Sequence, residues 1–327
     1  MKIIALEEHF MTPDVRAALL ALPPGQRDDQ MDRQDPALLA RLEDLSEGRL
    51  RQMDRVGVDV QVLSLSTPGV QSLEPAQAVT LARASNDLLA EAIRAHPDRF
   101  QGFATLPTPD PEAAACELER CVRELGFRGA MLNGRTRAQN MDDQAQWPIY
   151  AAAARLRAPL YIHPQVPVQA VKEAYYSGFD DPLSFTLASS GWGWHLETGV
   201  QALRLILSGV FDAHPDLQII LGHWGEMLTF YLKRVDSLSR VAGHLKLPVA
   251  EYVRRHVSVT PSGIFEPDYL RNSIETLGVE RVLFSVDDPF IPVPDGGARR
   301  FLDEAPLAAE DREKIAHGNW ERLTGER

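Results

Sequence analysis

Short apolar runs alternate with helical patterns along this 327-residue chain, and the alternation leaves few folds open. The runs predicted as strands are Ile3–Phe10, Val58–Ser66, Arg99–Leu106, Phe127–Leu132, Pro159–Ile162, Leu217–Leu221, His256–Val259 and Arg281–Ser285. Helical periodicity is predicted over Leu38–Val56, Pro75–Ala95, Pro111–Leu125, Gln146–Arg157, Trp194–Ala213, Met227–Val241 and Pro267–Leu277, with Ala308–Leu323 as a closing helix. Strands this short, separated by helices, pair in parallel through right-handed crossovers. Eight such units predict an α/β fold: one (β/α)8 TIM-like barrel domain over residues 1–327, with an open doubly wound sheet as the main competitor. No glycine-rich phosphate loop follows an early strand, which weakens the dinucleotide-binding form of the open sheet. Two segments stand outside the alternation. One carries Pro13, Pro23, Pro24 and a charged stretch from Arg27 to Asp35, and is too long for a plain connector. The other, residues 165–193, holds Tyr175, Tyr176, Phe179, Phe185 and Trp192, and is expected to act as a lid over the site or as an interface loop.

The formal net charge is −12 and no basic run occurs, which argues against nucleic acid as a partner. No apolar stretch is long enough to span a bilayer, and Ile3–Leu6 is too short for a signal-peptide core, so a cytoplasmic protein without a membrane partner is expected. Cys116 and Cys121, close together on a predicted helix, read as reduced thiols.

The chemistry is concentrated at strand ends. Ile3–Leu6 runs directly into Glu7-Glu8-His9. On a strand Glu7 and His9 share a side and Glu8 points away. Other predicted strands end in Asn133, His163, His223 and Asp287. In a closed barrel all strand C-termini meet at one mouth, so these side chains converge. Glu, His and Asp in such a group are ligand types for a divalent transition metal. Each has a plainer explanation alone: His163 as a satisfied strand-end histidine, His223 as a turn residue between glycines, Asp287 as a cap. Their joint placement favours a metal site. Turn chemistry accounts for Ser66-Thr67-Pro68-Gly69 and for Thr260-Pro261-Ser262. His96 and His214 fall at helix ends before strands, on the opposite face. His195, in Trp-Gly-Trp-His, is either a helix start or a pocket wall. His244, His256 and His317 read as surface or core residues.

The blocks Ala5–Phe10, Pro159–Pro164, Gly209–Asp212, Ile220–Glu226 and Phe284–Asp287 resemble the amidohydrolase superfamily. Within it they resemble the metal-dependent decarboxylase branch typified by aminocarboxymuconate semialdehyde decarboxylase, and most nearly the γ-resorcylate (2,6-dihydroxybenzoate) decarboxylase group. The resemblance covers nearly the whole chain. It implies that Glu7, His9, His163 and Asp287 bind one divalent metal ion, that His223 is a substrate-contacting catalytic histidine and that Glu226 orients it. It further implies that Arg234 binds an anionic group and that Asn133 lines the site. A glutamate where related enzymes carry a histidine makes the first ligand harder, which tilts the metal toward Mn2+ without excluding Zn2+. Asp288 stands where the family usually has an aromatic, and Ile291 where it often has a carboxylate. Asp288 is therefore expected to alter the shape and charge of the site.

The resemblance implies non-oxidative decarboxylation of an ortho-hydroxylated aromatic acid such as 2,6-dihydroxybenzoate, with Asp287 protonating the ring carbon. It also implies a homodimer or homotetramer. The same ligands could instead serve a hydrolase in which a metal-bound water attacks a lactone, ester or amide, and a non-catalytic binding barrel is a third reading.

Overall fold

The structure is a computed structural model that describes residues 1–23, 25–33 and 35–325; Pro24, named above, lies outside the described residues. Its centre is a parallel sheet of seven strands in chain order: β1 (Ile4–Phe10), β2 (Val60–Leu65), β3 (Phe100–Thr105), β4 (Gly129–Leu132), β5 (Leu160–Ile162), β6 (Ile219–Leu221) and β7 (Val257–Val259). The strands are buried almost throughout, as expected where helices cover a parallel sheet and side chains fill its inner face. The helices used below are α1 (Glu47–Val56), α2 (Pro75–Ala95), α3 (Pro111–Arg123), α4 (Trp147–Leu156), α5 (Gly193–Leu207), α6 (Leu228–Val235), α7 (Val249–His256) and α8 (Pro267–Leu277). Proline sits in the first turn of α2, α3, α4 and α8, where its missing N–H costs nothing.

Two apolar clusters divide the interior. The larger lies between sheet and helices. The smaller contains alternate residues of the strands, among them Ile4, Leu6, Val62, Phe103, Tyr161 and Ile220, closed at one end by Trp320. This inner column fills the sheet's concave side, and the residues that follow it on the same side reach the mouth.

The predicted eighth strand is corrected. Arg281 ends a short 3-10 turn, and the residues after it form no regular strand among the described residues. They bond singly to both neighbours: Leu283 N donates to Val259 O at 2.8 Å, Leu6 N to Phe284 O at 3.0 Å, and His9 N to Asp288 O at 2.7 Å. The register of β1 shifts between Ala5 and Glu8. That bulge breaks the even spacing a parallel ladder needs at this seam.

Other boundaries moved for local reasons. The span Leu38–Val56 is two helices, Pro36–Glu43 and α1, broken at Asp44, whose carboxylate accepts from the Ser46 amide at 2.8 Å. The span Trp194–Ala213 divides at Gly209, which adopts φ 80. Helix α7 was not anticipated. It takes in His256, which was assigned to a strand and instead faces the Leu217 carbonyl at 2.9 Å through Nδ1. The charged stretch 27–33 touches segment 165–193 through Lys172–Asp29 and Arg33–Asp181 ion pairs, both 2.8 Å.

Glu8 faces outward from β1, beneath α1. Its carboxylate accepts from Gln61 Nε2 at 3.1 Å and Val286 N at 2.8 Å. Burial, reinforced by Asp288, holds its pKa well above the usual carboxylate range. Buried Arg49 lies between them, donating to His9 O at 2.7 Å and standing 3.7 Å from Asp288. Replacing Arg49 by Met removes the buried cation beside Asp288 and Glu8 and leaves Asp288 only the half-exposed Arg41. Stability is expected to fall by about 3 kcal/mol, read as a lowered urea midpoint.

Candidate metal centre

The bulge in β1 decides which charged residues enter the sheet's interior. Ile4 and Leu6 belong to the inner column, so unbroken alternation would turn Glu8 inward and Glu7 outward. The register shift places Leu6 and Glu7 consecutively on the inner side, and Glu7 and His9 then face the mouth.

Glu7 Oε2 accepts from the Tyr161 hydroxyl at 2.6 Å and from the Ser262 hydroxyl. The Tyr161 proton is thus committed to Glu7, and Thr260 donates to Tyr161 at 2.7 Å. Gly222 makes this packing possible: a Cβ there would lie 2.7 Å from Ser262 Oγ and 2.9 Å from the Tyr161 hydroxyl. Among the described residues Glu7 Oε1 has no hydrogen-bond partner, and neither does His9 Nε2, although both atoms are buried. His163 Nδ1 lies 2.9 Å from the Pro164 carbonyl, which fixes a proton on Nδ1 and leaves Nε2 free, 3.6 Å from Glu7 Oε1. Ligand atoms of Glu7, His9 and His163 all lie within 4.8 Å of one another. Asp287 Oδ1 adds a fourth, 3.3 Å from His9 Nε2.

The electrostatics agree with this geometry. Burial lowers the pKa of His9 to about 4 and holds that of His163 well below the ordinary imidazole value, so both are neutral imidazoles with a lone pair to give. Burial raises Glu7 and takes Asp287 up to about 7. Converging carboxylates and lone pairs, two of them orphaned atoms in a buried site, are costly alone and are relieved by a cation. The residues present therefore fit a divalent metal ion. Tyr161→Phe removes one of the two hydroxyls that hold Glu7, and a roughly 10–100-fold loss of metal affinity is expected in a chelator competition.

After β6 the chain makes a left-handed turn: φ is 47 at His223, 60 at Trp224, 90 at Gly225, 51 at Glu226 and 70 at Met227. Four of these five residues have side chains, each costing roughly 1–2 kcal/mol in this region. The turn is held by His223 N donating to Ser262 Oγ at 2.8 Å, Trp224 N to Thr260 O at 2.8 Å and Trp224 Nε1 to Ile264 O at 2.7 Å. It aims His223 Nε2 toward Asp287 Oδ2, 3.9 Å away, and sets Nδ1 2.8 Å from Glu226 Oε1. Burial alone would lower the His223 pKa, but Glu226, Glu7 and Asp287 outweigh it and bring it to about 10. Burial works against the Glu226 carboxylate, yet His223 and His195 hold its pKa below the usual range.

Asn133 is buried at the end of β4, with its amide oxygen unpartnered and its backbone N bonded to Gln71 at 2.5 Å. Arg234 does not join the cluster: it is exposed near the end of α6, with no hydrogen bond or ion pair to a site residue among the described residues. Asp288 is a correction. Its carboxylate pairs outside the cluster, 2.9 Å from Arg41 and 3.7 Å from Arg49, after a left-handed residue at Asp287 (φ 63), while its charge still helps to raise the Asp287 pKa. In segment 165–193, Tyr175, Phe179 and Trp192 are exposed and Tyr176 is buried. Sequence reasoning missed Tyr161, Thr260 and Ser262 and left His195 open. The available signal was alternation at β5: Tyr161 precedes His163 by two, so the pair shares a face, whereas Ser262, in a turn at φ 47, carries no such signal.

Residues 9–325 match the family model described as amidohydrolase. A gamma-resorcylate decarboxylase of Polaromonas sp. (strain JS666 / ATCC BAA-500) is 38% identical over 332 residues, covering 98% of this chain and 97% of that protein. A second, from Rhodococcus jostii (strain RHA1), is also 38% identical, covering 97% and 96%. Among solved structures, the 5-carboxyvanillate decarboxylase of Sphingomonas paucimobilis superposes with a TM-score of 0.90 at 35% identity, covering 99% of each chain. The dihydroxybenzoic acid decarboxylase of Polaromonas sp. JS666, with bound manganese and the inhibitor 2-nitroresorcinol, gives 0.86 at 36% identity, covering 99% of this chain and 97% of the other. The match extends from the first strand to the last helix, and the chain belongs to the amidohydrolase family.

Proposed function

We propose that this protein is a metal-dependent carboxy-lyase that removes CO2 from an ortho-hydroxylated aromatic acid of the 2,6-dihydroxybenzoate type. The observation that carries the reading is the pair of buried, unpartnered ligand atoms, Glu7 Oε1 and His9 Nε2, with His163 Nε2 and Asp287 Oδ1 beside them. The relatives' activities and the manganese in one of their structures support it. Glu7, His9, His163 and Asp287 would hold the ion, with Mn2+ favoured by two carboxylates among the four ligands. When bound, the ion supplies positive charge that fixes the substrate's carboxylate and ortho oxygen.

The chain's own groups do the proton work. Asp287 has two distinct oxygens: Oδ1 faces His9, and Oδ2 faces His223. With its pKa brought up to about 7 by burial, the carboxyl carries a proton near neutrality; a cation at Oδ1 draws that value back down. Asp287 gives the proton to the ring carbon that bears the carboxylate. The bond to the carboxylate then breaks, its electron pair refills the ring, and CO2 leaves. His223, protonated and held through Nδ1 by Glu226, donates from Nε2 to the substrate oxygen where charge builds. Asn133 offers its unpartnered amide oxygen to a ring hydroxyl. Arg234, exposed near the end of α6, takes no part in this scheme.

The Mn2+-loaded protein is expected to release one CO2 per 2,6-dihydroxybenzoate consumed, with resorcinol as the other product. Cleavage of lactones or esters without CO2 release from any ortho-hydroxybenzoate would replace this reading with metal-dependent hydrolysis.

A further inference from the structure

The reaction above uses one of the two oxygens of Glu226. Oε1 faces His223 Nδ1, and Oε2 faces His195 Nδ1, each at 2.8 Å. His195 lies in the first turn of α5. Its other nitrogen, Nε2, is 3.0 Å from the carbonyl of Ser190, near the end of segment 165–193. The two imidazole rings are 4.7 Å apart at 60°. Helix α5 approaches the turn as closely as backbone permits: a Cβ on Gly199 would lie 2.7 Å from the Glu226 carbonyl oxygen.

A carboxylate gripped at one oxygen keeps a soft terminal torsion, since sp3–sp2 torsions are broad and roughly two-fold. A second donor at the other oxygen removes that freedom. Both ring nitrogens of His195 face oxygen acceptors, so a ring carrying both N–H protons is itself held at two points. We infer that His195 is a positioning residue: it holds Glu226 by the second oxygen, so that the first keeps His223 turned toward the substrate. This inference rests on the role given to His223 in the decarboxylase reading. His195 touches neither substrate nor metal ligand in it. It acts through Glu226, and Ser190 ties the orientation to the end of segment 165–193.

Two nearly isosteric substitutions separate the donor from the bulk. In His195→Asn the amide Nδ2 occupies roughly the place of imidazole Nδ1 and can donate to Glu226; His195→Leu fills similar space and donates nothing. With full-length, Mn2+-loaded protein and 2,6-dihydroxybenzoate, His195→Leu is expected to lower kcat about 10–100-fold. KM and metal content should stay at wild-type values, and His195→Asn should recover most of the loss. Ring 1H–15N spectra of histidine-labelled protein give a readout independent of turnover. The His223 Nδ1 proton should shift in the Leu variant and stay in place in the Asn variant. Equal loss of kcat in both variants, an unchanged kcat in the Leu variant, or an unmoved His223 proton overturns the inference. Should the Leu variant not fold, His195→Ala takes its place in the same comparison. If wild-type protein shows no decarboxylation, the decarboxylase reading fails, and the His223 proton alone decides whether His195 positions Glu226.

Discussion

Asp287→Asn is expected to lower kcat by about 10^2–10^4-fold while the protein stays folded and metal-loaded. The amide keeps an oxygen for the position 3.3 Å from His9 Nε2, so the ligand set is weakened but not dismantled. What it loses is the acidic proton. KM should change little, because substrate binding does not draw on that proton. CO2 release and metal content measured on the same sample check the prediction. Turnover that survives with metal bound would remove Asp287 from the proton-donor role. Turnover and metal lost together would show that the residue acts only as a ligand.

Glu7→Gln should abolish turnover by a different route. Glutamine has the same shape and can keep the Tyr161 and Ser262 hydroxyls as partners, so the interior stays packed. It removes the only negative charge that β1 brings to the cluster. Metal bound after dialysis is expected to fall from near stoichiometric to near zero, and activity with it. The metal-free protein should meanwhile be at least as stable as metal-free wild type. Burial raises the Glu7 pKa above its ordinary value, so the ionised carboxylate is a destabilising group when no cation faces it. Its folded-state pKa lies above the unfolded one, so that penalty grows as pH rises above the ordinary carboxylate range and is absent below it. Thermal melts of both metal-free proteins, acidic and neutral, would reveal the sign. A marked loss of stability in Gln would mean that Glu7 serves the fold and not the ion.

Much of this was legible because the relevant code is short-range. Proline at the start of α2, α3, α4 and α8 and apolar runs ending in polar residues located most elements within a few residues. Other features depended on contacts the sequence does not display. Period-two alternation puts Glu7 and His9 on one side of a strand, but not on the inner side; the bulge after Ala5 decides that. Asp288 was expected to alter the site because it stands where the family usually has an aromatic. Its direction is set by Arg41 and Arg49, nearly two hundred and fifty positions earlier. Arg281–Ser285 has the composition of a strand, yet whether it forms a ladder depends on the spacing of both neighbours at the seam. Tyr161, Thr260 and Ser262 looked like ordinary strand and turn residues until Glu7 came within reach of their hydroxyls.

The seam between β1 and the segment around Phe284 also sets a schedule for synthesis. Glu8 and Val286, bonded there, are separated by 278 positions. Glu7 and His9 therefore leave the ribosome well before Asp287 is made. Until then β1 lacks one of its two lateral neighbours, and Asp287 is not yet beside His9. A nascent chain can therefore assemble the intervening helices and inner strands before the proposed metal site is complete. Metal retention and turnover would accordingly report on the joining of β1 to the segment around Phe284, more directly than helix content does.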